Sequence, residues 1–461
     1  MSFDAVVPFP LIDSPAQGLR ALLAELEDWL VDALPRHNAT PWGGGHDEGT
    51  FLTSWAGYHE LTGDARVLDL AVSLRDAFLD WAAGHLVHGY WPRQEVHHGP
   101  EHFVIFLAWL ARIHPGDRAT ADAILDAAEH AGNWVPDVPP WYDWDADRFR
   151  STHLGTEHVG DDGLNVTAHL RLARLSLDAW RLSADDRYRD LASRYAGCWA
   201  DALLAAPEAP LTLDEGRGDA PLPPPPEPLT AAESRRPDAY EAARKRFLGA
   251  APRRRGPVER IESYIADGAP DLFLELHEVT RDARFAEAFR RLVTPLVAEL
   301  ADPCAHPAGR LVALWRRTFS DHSRDEAIVE TVGPCPDPAV LSGMSLAVRA
   351  HVDWEEQGGV GKRRDMPGWF VVGAEGHEEL CRIPSPAALA LCHEITGETP
   401  WAVVAFQLAL ARLQLARRVF PDGREHGCGS RSVAAACRGH GRNWGDGDVS
   451  TLLADPALRA L

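Results

Sequence analysis

Cysteine is scarce in this 461-residue chain: seven in all, an odd number, scattered from Cys198 to Cys437. That scatter excludes a disulfide-stapled scaffold and points to a reducing, cytoplasmic setting. Long apolar runs are absent too. The cleanest, FVIFLAWLA at 103–111, is about half of the roughly 20 residues that cross a bilayer. The opening MSFDAVVPFPLIDSP has neither a basic stretch nor a sustained apolar one, so no secretory signal is expected. Positive charge is in deficit, with 46 Lys and Arg against 68 Asp and Glu and a net charge of -22. Nucleic acid and anionic membranes would be repelled by such a surface. An anionic substrate would need a local basic pocket inside the acidic shell.

What is present is helix. Leu/Ala/Arg-rich segments with helical periodicity dominate, and convincing alternating strands are few. The turns between them repeat loosely: HELTGDAR at 59–66, HEVTRDAR at 277–284 and HEITGE at 393–398, with weaker copies RLSADDRY at 181–188 and RIHPGDRA at 112–119. A sixth is sought near 349–356, RAHVDWEE. Gly63, Gly116 and Gly397 suit the left-handed conformation that closes a helix, and Asp64, Asp117 and Asp185 suit the cap of the next. Each turn therefore predicts a tight αα-hairpin with an apolar first helix and an amphipathic second.

Over most of its length this hairpin rhythm resembles the six-hairpin, (α/α)6-toroid superfamily of glycoside hydrolases, polysaccharide lyases and sugar epimerases. The resemblance rests on architectural motifs such as HELTGDAR. It implies an all-α toroid in one domain over 1–461 and a carbohydrate substrate class. Two stretches interrupt the rhythm: a Pro-rich excursion at 206–256 (PLPPPPEPL, APRRRGP) and an irregular 303–380. In the second, RLVALW and GWFVVG are read as strands of a lid or small sheet.

Five polar clusters precede apolar helices, which would gather them on one rim. They are WGGGHDEGTF (42–51), HGYWPRQEVHHGPEHF (88–103), THLGTEHVGDDGLN (152–165), ERIESYIADGAPDLF (259–273) and CRGHGRNWGDGD (437–448). Carboxylates there, Asp47, Glu101 and Asp161 among them, also serve as plain helix caps. Histidine is a poor cap, and its abundance in these stretches argues for function. Candidate catalytic residues are His98, His102, Glu95, His158, Glu157, Tyr264 and Asp47. Candidate substrate contacts are Trp42, His46, Trp91, Arg93, Asn165, Arg442 and Trp444, the tryptophans as flat faces for sugars.

Glycoside hydrolysis needs two carboxyl groups flanking the bond. Eliminative cleavage of a uronide needs a base for the acidic C–H and a cation or donor for the enolate-like charge. The histidines tilt the reading slightly to elimination of small uronic-acid-containing oligosaccharides, with hydrolysis as the alternative. No cofactor is required by the pattern. Glu95, His97, His98 and His102 nevertheless offer ligand types suited to zinc or manganese. Separately, HGCGSRSVAAACRGH brings His426, Cys428, Cys437 and His440 within 15 residues, a Cys2His2 set without a standard finger spacing. That set raises a rival toroid class, the zinc-dependent lanthionine-synthetase cyclases, whose adjacent Cys-His-Gly is replaced here by Cys437-Arg438-Gly439-His440. A helical interaction module would explain the hairpins but not the polar clusters.

Overall fold

The computed structural model describes residues 3–45, 48–136, 138–217, 257–301, 308–349, 368–373, 375–419 and 448–459. These are mostly helical, and they fall into two compact units: residues 1–74 with 293–461, and residues 75–292.

In the first unit the helix Pro15–Ala39 is capped by Ser14, whose Oγ accepts from the Gln17 amide, with Pro15 at its first position. It buries Leu22, Leu26, Trp29, Leu30 and Ala33. Gly18 lets it lie tight against the helix Thr399–Val419, because a Cβ there would stand 2.5 Å from the Phe406 ring. Thr399–Val419 pairs in turn with Pro386–Thr396 as a hairpin. A small antiparallel sheet completes the unit, in the order β1 (Ala5–Pro8), β4 (Ser345–Arg349), β5 (Gly368–Val372) and β6 (Glu378–Leu380). The expected strand GWFVVG is β5, paired with β4 through Ala347 opposite Phe370. The expected strand RLVALW is instead part of the helix Ala308–Phe319. Its Leu311, Val312 and Trp315 are buried, three and four residues apart, which is a helical period and not alternation. Its Arg316 and Arg317 reach Asp325 and Glu394.

The second unit contains the hairpins Leu170–Ser183 with Asp186–Ala205 and Ala269–Thr280 with Ala283–Val293, and a two-stranded ribbon of β2 (Tyr142–Asp143) and β3 (Arg148–Phe149).

The repeated turns share one construction in both units. In HELTGDAR, HEVTRDAR and HEITGE the histidine Nδ1 lies 3.0, 3.0 and 3.1 Å from the carbonyl oxygen of Asp64, Asp282 and Glu398. The threonine hydroxyl donates to the carbonyl four residues back, on Tyr58, Leu276 and Cys392. The same oxygen accepts from the amide of Asp64, Asp282 and Glu398 at 3.2 Å each. Between them stands one left-handed residue, Gly63, Arg281 or Gly397, with φ of 65°, 60° and 71°. RLSADDRY keeps the lock with Ser183 in the threonine role and Ala184 at φ 57°. RIHPGDRA has the left-handed Gly116 and a capping Asp117. RAHVDWEE lies outside the described residues beyond Arg349. No helix among the described residues is long and apolar enough to cross a membrane.

Candidate functional site

Three of the five polar stretches meet inside the second unit. The loop 91–99 and the loop 151–159 zip together through backbone bonds: Val96 to Thr152, Leu154 to Gln94, Thr156 to Trp91, and Glu157 and His158 to Pro92. Glu95 and His153 form an isolated bridge. Gly155 permits this approach, since a Cβ would sit 2.2 Å from the Pro92 oxygen. Asp162 holds the second loop in shape by accepting from the Ser151 and Thr152 hydroxyls and the Thr152 and Leu164 amides. His169 is buried beneath, with its Nε2 2.9 Å from the Ser151 carbonyl oxygen, and burial pushes its pKa down. A neutral ring there is structural.

The centre is ionic and buried. Glu101 is fully buried and is paired with Arg171, itself 3% exposed. Arg171 also donates to Asp267 at 2.9 Å, to the His97 carbonyl at 2.6 Å and to the Ala266 carbonyl at 3.3 Å. The guanidinium thus ties together the second and fourth polar stretches and the first turn of the helix Leu170–Ser183. Thr167 Oγ1 donates to the other oxygen of Asp267 at 2.7 Å. Two imidazoles stand beside this centre toward solvent, His97 with a 21% exposed side chain and His98 with 38%. His97 Nε2 is 3.9 Å from Glu101 Oε1, His97 Nδ1 is 3.7 Å from Asp267 Oδ1, and His98 Nδ1 is 3.8 Å from Glu101 Oε2. Immediately after Glu101 the chain makes a π-helix, His102–Leu107, before the α-helix Ala108–Ile113. Short π-helical segments are frequently found at functional sites.

None of the protein-family models, curated proteins or solved structures compared with this chain matches it. The site's chemistry therefore has to be argued from its own geometry.

Several sequence candidates stand elsewhere. Tyr264 is fully buried, its hydroxyl donating 2.6 Å to the Pro210 carbonyl, and burial raises its pKa well above the ordinary value. It is a core residue and not a base. Asn165 is equally buried: its amide nitrogen donates to the Phe149 and Gly163 carbonyls while its oxygen accepts from the Phe149 amide and the Tyr195 hydroxyl. Its bonding capacity is spent on the fold, so it does not meet substrate. His102 is 4% exposed and packs on Phe78, with ring centroids 4.7 Å apart. It belongs to the packing behind Glu101.

Glu95, Trp91 and His158 are half-buried on the zipped loops, and Arg93 and Glu157 are exposed there. Trp91 meets Trp81 edge-on. Trp141 is core, its indole donating to the Gly155 carbonyl. In the first unit Trp42 is buried, and the Glu48 carboxylate collects the amides of Gly43 and Gly45. His46, Asp47, His426, Cys428, Cys437, His440, Arg442 and Trp444 lie outside the described residues.

Arg171 and Asp267 were not legible as site residues. Arg171 sits within LRLARLSLDAW, where an arginine reads as the solvent face of an amphipathic helix, and Asp267 reads as an ordinary turn residue before Gly268. The cue available was Glu101, a carboxylate three residues past one histidine and four past another.

Proposed function

We propose that this chain is a carbohydrate-active enzyme on an (α/α)6 toroid that cleaves a glycosidic bond, with β-elimination of uronic-acid-containing oligosaccharides as the reaction. The toroid is supported by the recurrence of one locked αα-turn through the chain. The observation that carries the function is the His97–His98 pair, half exposed over the buried Glu101–Arg171–Asp267 group. Elimination needs a base for the acidic C–H, and the two partly exposed imidazoles are what supports that reading. Hydrolysis is the weaker reading: Glu101 and Asp267 both act as acceptors of Arg171 N–H groups, and neither is placed as an acid donating to a leaving oxygen.

The test is incubation with a panel of uronic oligosaccharides, following the ultraviolet absorbance of the unsaturated product. We expect absorbance with the native chain and a loss of roughly 10²–10⁴-fold in kcat for His98→Ala. New reducing ends without that absorbance would replace elimination by hydrolysis, and no cleavage of any member would remove the carbohydrate reading.

A further inference from the structure

We infer that His97, His98 and Glu101 hold a divalent transition-metal ion, with zinc bound more tightly than manganese. The inference deepens the reading of this centre as the reacting site and rests on it for any role in catalysis, but its test reads binding alone. Among the described residues, these three offer ligand atoms that all lie within 4.8 Å of one another.

The separations are informative in themselves. His97 Nε2 to Glu101 Oε1 is 3.9 Å and His98 Nδ1 to Glu101 Oε2 is 3.8 Å. Both exceed a hydrogen bond. Two ligands each about 2.1 Å from one tetrahedral ion stand roughly 3.4 Å apart, so each gap need close by only about half an ångström to seat an ion between imidazole and carboxylate. The widest separation, up to 4.8 Å, needs roughly 1.4 Å of closure to reach that spacing, and His98 is exposed enough to rotate inward.

An outer carboxylate stands close by. His97 turns its second nitrogen, Nδ1, toward Asp267 Oδ1 at 3.7 Å. That gap exceeds a hydrogen bond, but it places a carboxylate on the side of the ring where an outer carboxylate orients a metal-bound histidine, leaving Nε2 toward Glu101. Asp267 is held in turn by Thr167 Oγ1 at 2.7 Å and Arg171 Nε at 2.9 Å. Arg171 pins two of the ligand-bearing residues at once, through the Glu101 carboxylate and the His97 carbonyl. Its charge is offset by Glu101 and Asp267 together. The π-helix from His102 begins at the residue after Glu101, and this irregular turn follows the one buried ligand directly. Two imidazoles and one carboxylate favour zinc over manganese in the usual order of affinities, and leave room for water or a substrate oxygen.

The experiment is titration calorimetry of the full chain, stripped with chelator, against zinc chloride, with manganese chloride in parallel. One equivalent of zinc is expected, with manganese weaker. His97→Ala and His98→Ala should each lose at least tenfold in zinc affinity while circular dichroism stays native. Asp267→Asn should lose about 10–100-fold through its hold on His97. A folded native chain that takes up neither ion overturns the proposal. So does zinc binding that survives in His98→Ala but is lost in Cys428→Ser, which would move the ion to the cysteine-bearing segment. Cleavage without zinc uptake removes the ion and leaves the side chains to act alone, whereas zinc uptake without cleavage keeps the ion and removes the proposed reaction.

Discussion

His130 is 1% exposed and enclosed by the rings of His88, Tyr90 and Trp141, with centroids 5.1, 5.1 and 5.2 Å away. Burial first, and then the charge of His88, pulls its pKa down to about 4. A lowered folded-state pKa in histidine means that the unfolded chain binds the proton more readily. The stabilising effect is therefore complete above the unfolded value of about 6.5 and is lost as pH falls from there toward 4. The loss attributable to this residue is of order 3 kcal/mol. Urea denaturation at pH 7 and at pH 4.5 should show it, and His130→Phe, which keeps an aromatic ring in the pocket, should flatten the difference. His169 contributes in the same direction, because burial lowers its pKa as well. The same residue type thus serves in the core here, in the turns through Nδ1, and partly exposed at the candidate site. Residue identity alone could not sort His102 from His98. One faces Phe78 and the other is open to solvent, and which is which depends on the helix turn that carries them.

At the scale of the element, the repeated turn was the most legible part of the chain, because every bond in it lies within six residues. The threonine, the left-handed residue and the following acid are all visible in HELTGDAR. Two copies place a side chain where the others use glycine. Arg281 and Ala184 pay the left-handed penalty of about 1–2 kcal/mol, offset by the smaller backbone entropy they lose on folding. Ala184→Gly is expected to raise stability by up to about 1 kcal/mol in chemical denaturation, and Gly397→Ala to lower it by about 1 kcal/mol. Thr280→Val removes a hydroxyl that both donates and accepts and should cost about 1 kcal/mol. By contrast, RLVALW read as a strand because six residues are too few to separate two periods, and only the longer run AGRLVALWRRTF shows the helical one. The π-helix after Glu101 leaves no pattern in FVIFLAWLA, since an apolar run is compatible with any helical pitch.

For the chain as a whole, a net charge of -22 sets a long-range repulsion against anionic ligands. Salt screens that field over about 10 Å at 0.1 M. If the substrate is a uronide, kcat/KM should rise between low and physiological ionic strength, as repulsion of the incoming anion weakens. A neutral oligosaccharide should show no such rise, so the salt series also separates the two substrate classes.

The mostly helical character, the hairpin turns and the polar stretches that enter the site were determined by the sequence itself, because they depend on neighbours a few residues apart. The partnership of Glu101 with Arg171 and Asp267 was decided only by the tertiary structure. Those residues lie 70 and 166 positions from Glu101 in the chain, and a buried ion pair is specified by where helices and loops cross. The same holds for the retirement of Tyr264 and Asn165 to the core. Their polar groups look available in sequence, and only packing shows them spent on carbonyls and amides that would otherwise be buried without partners.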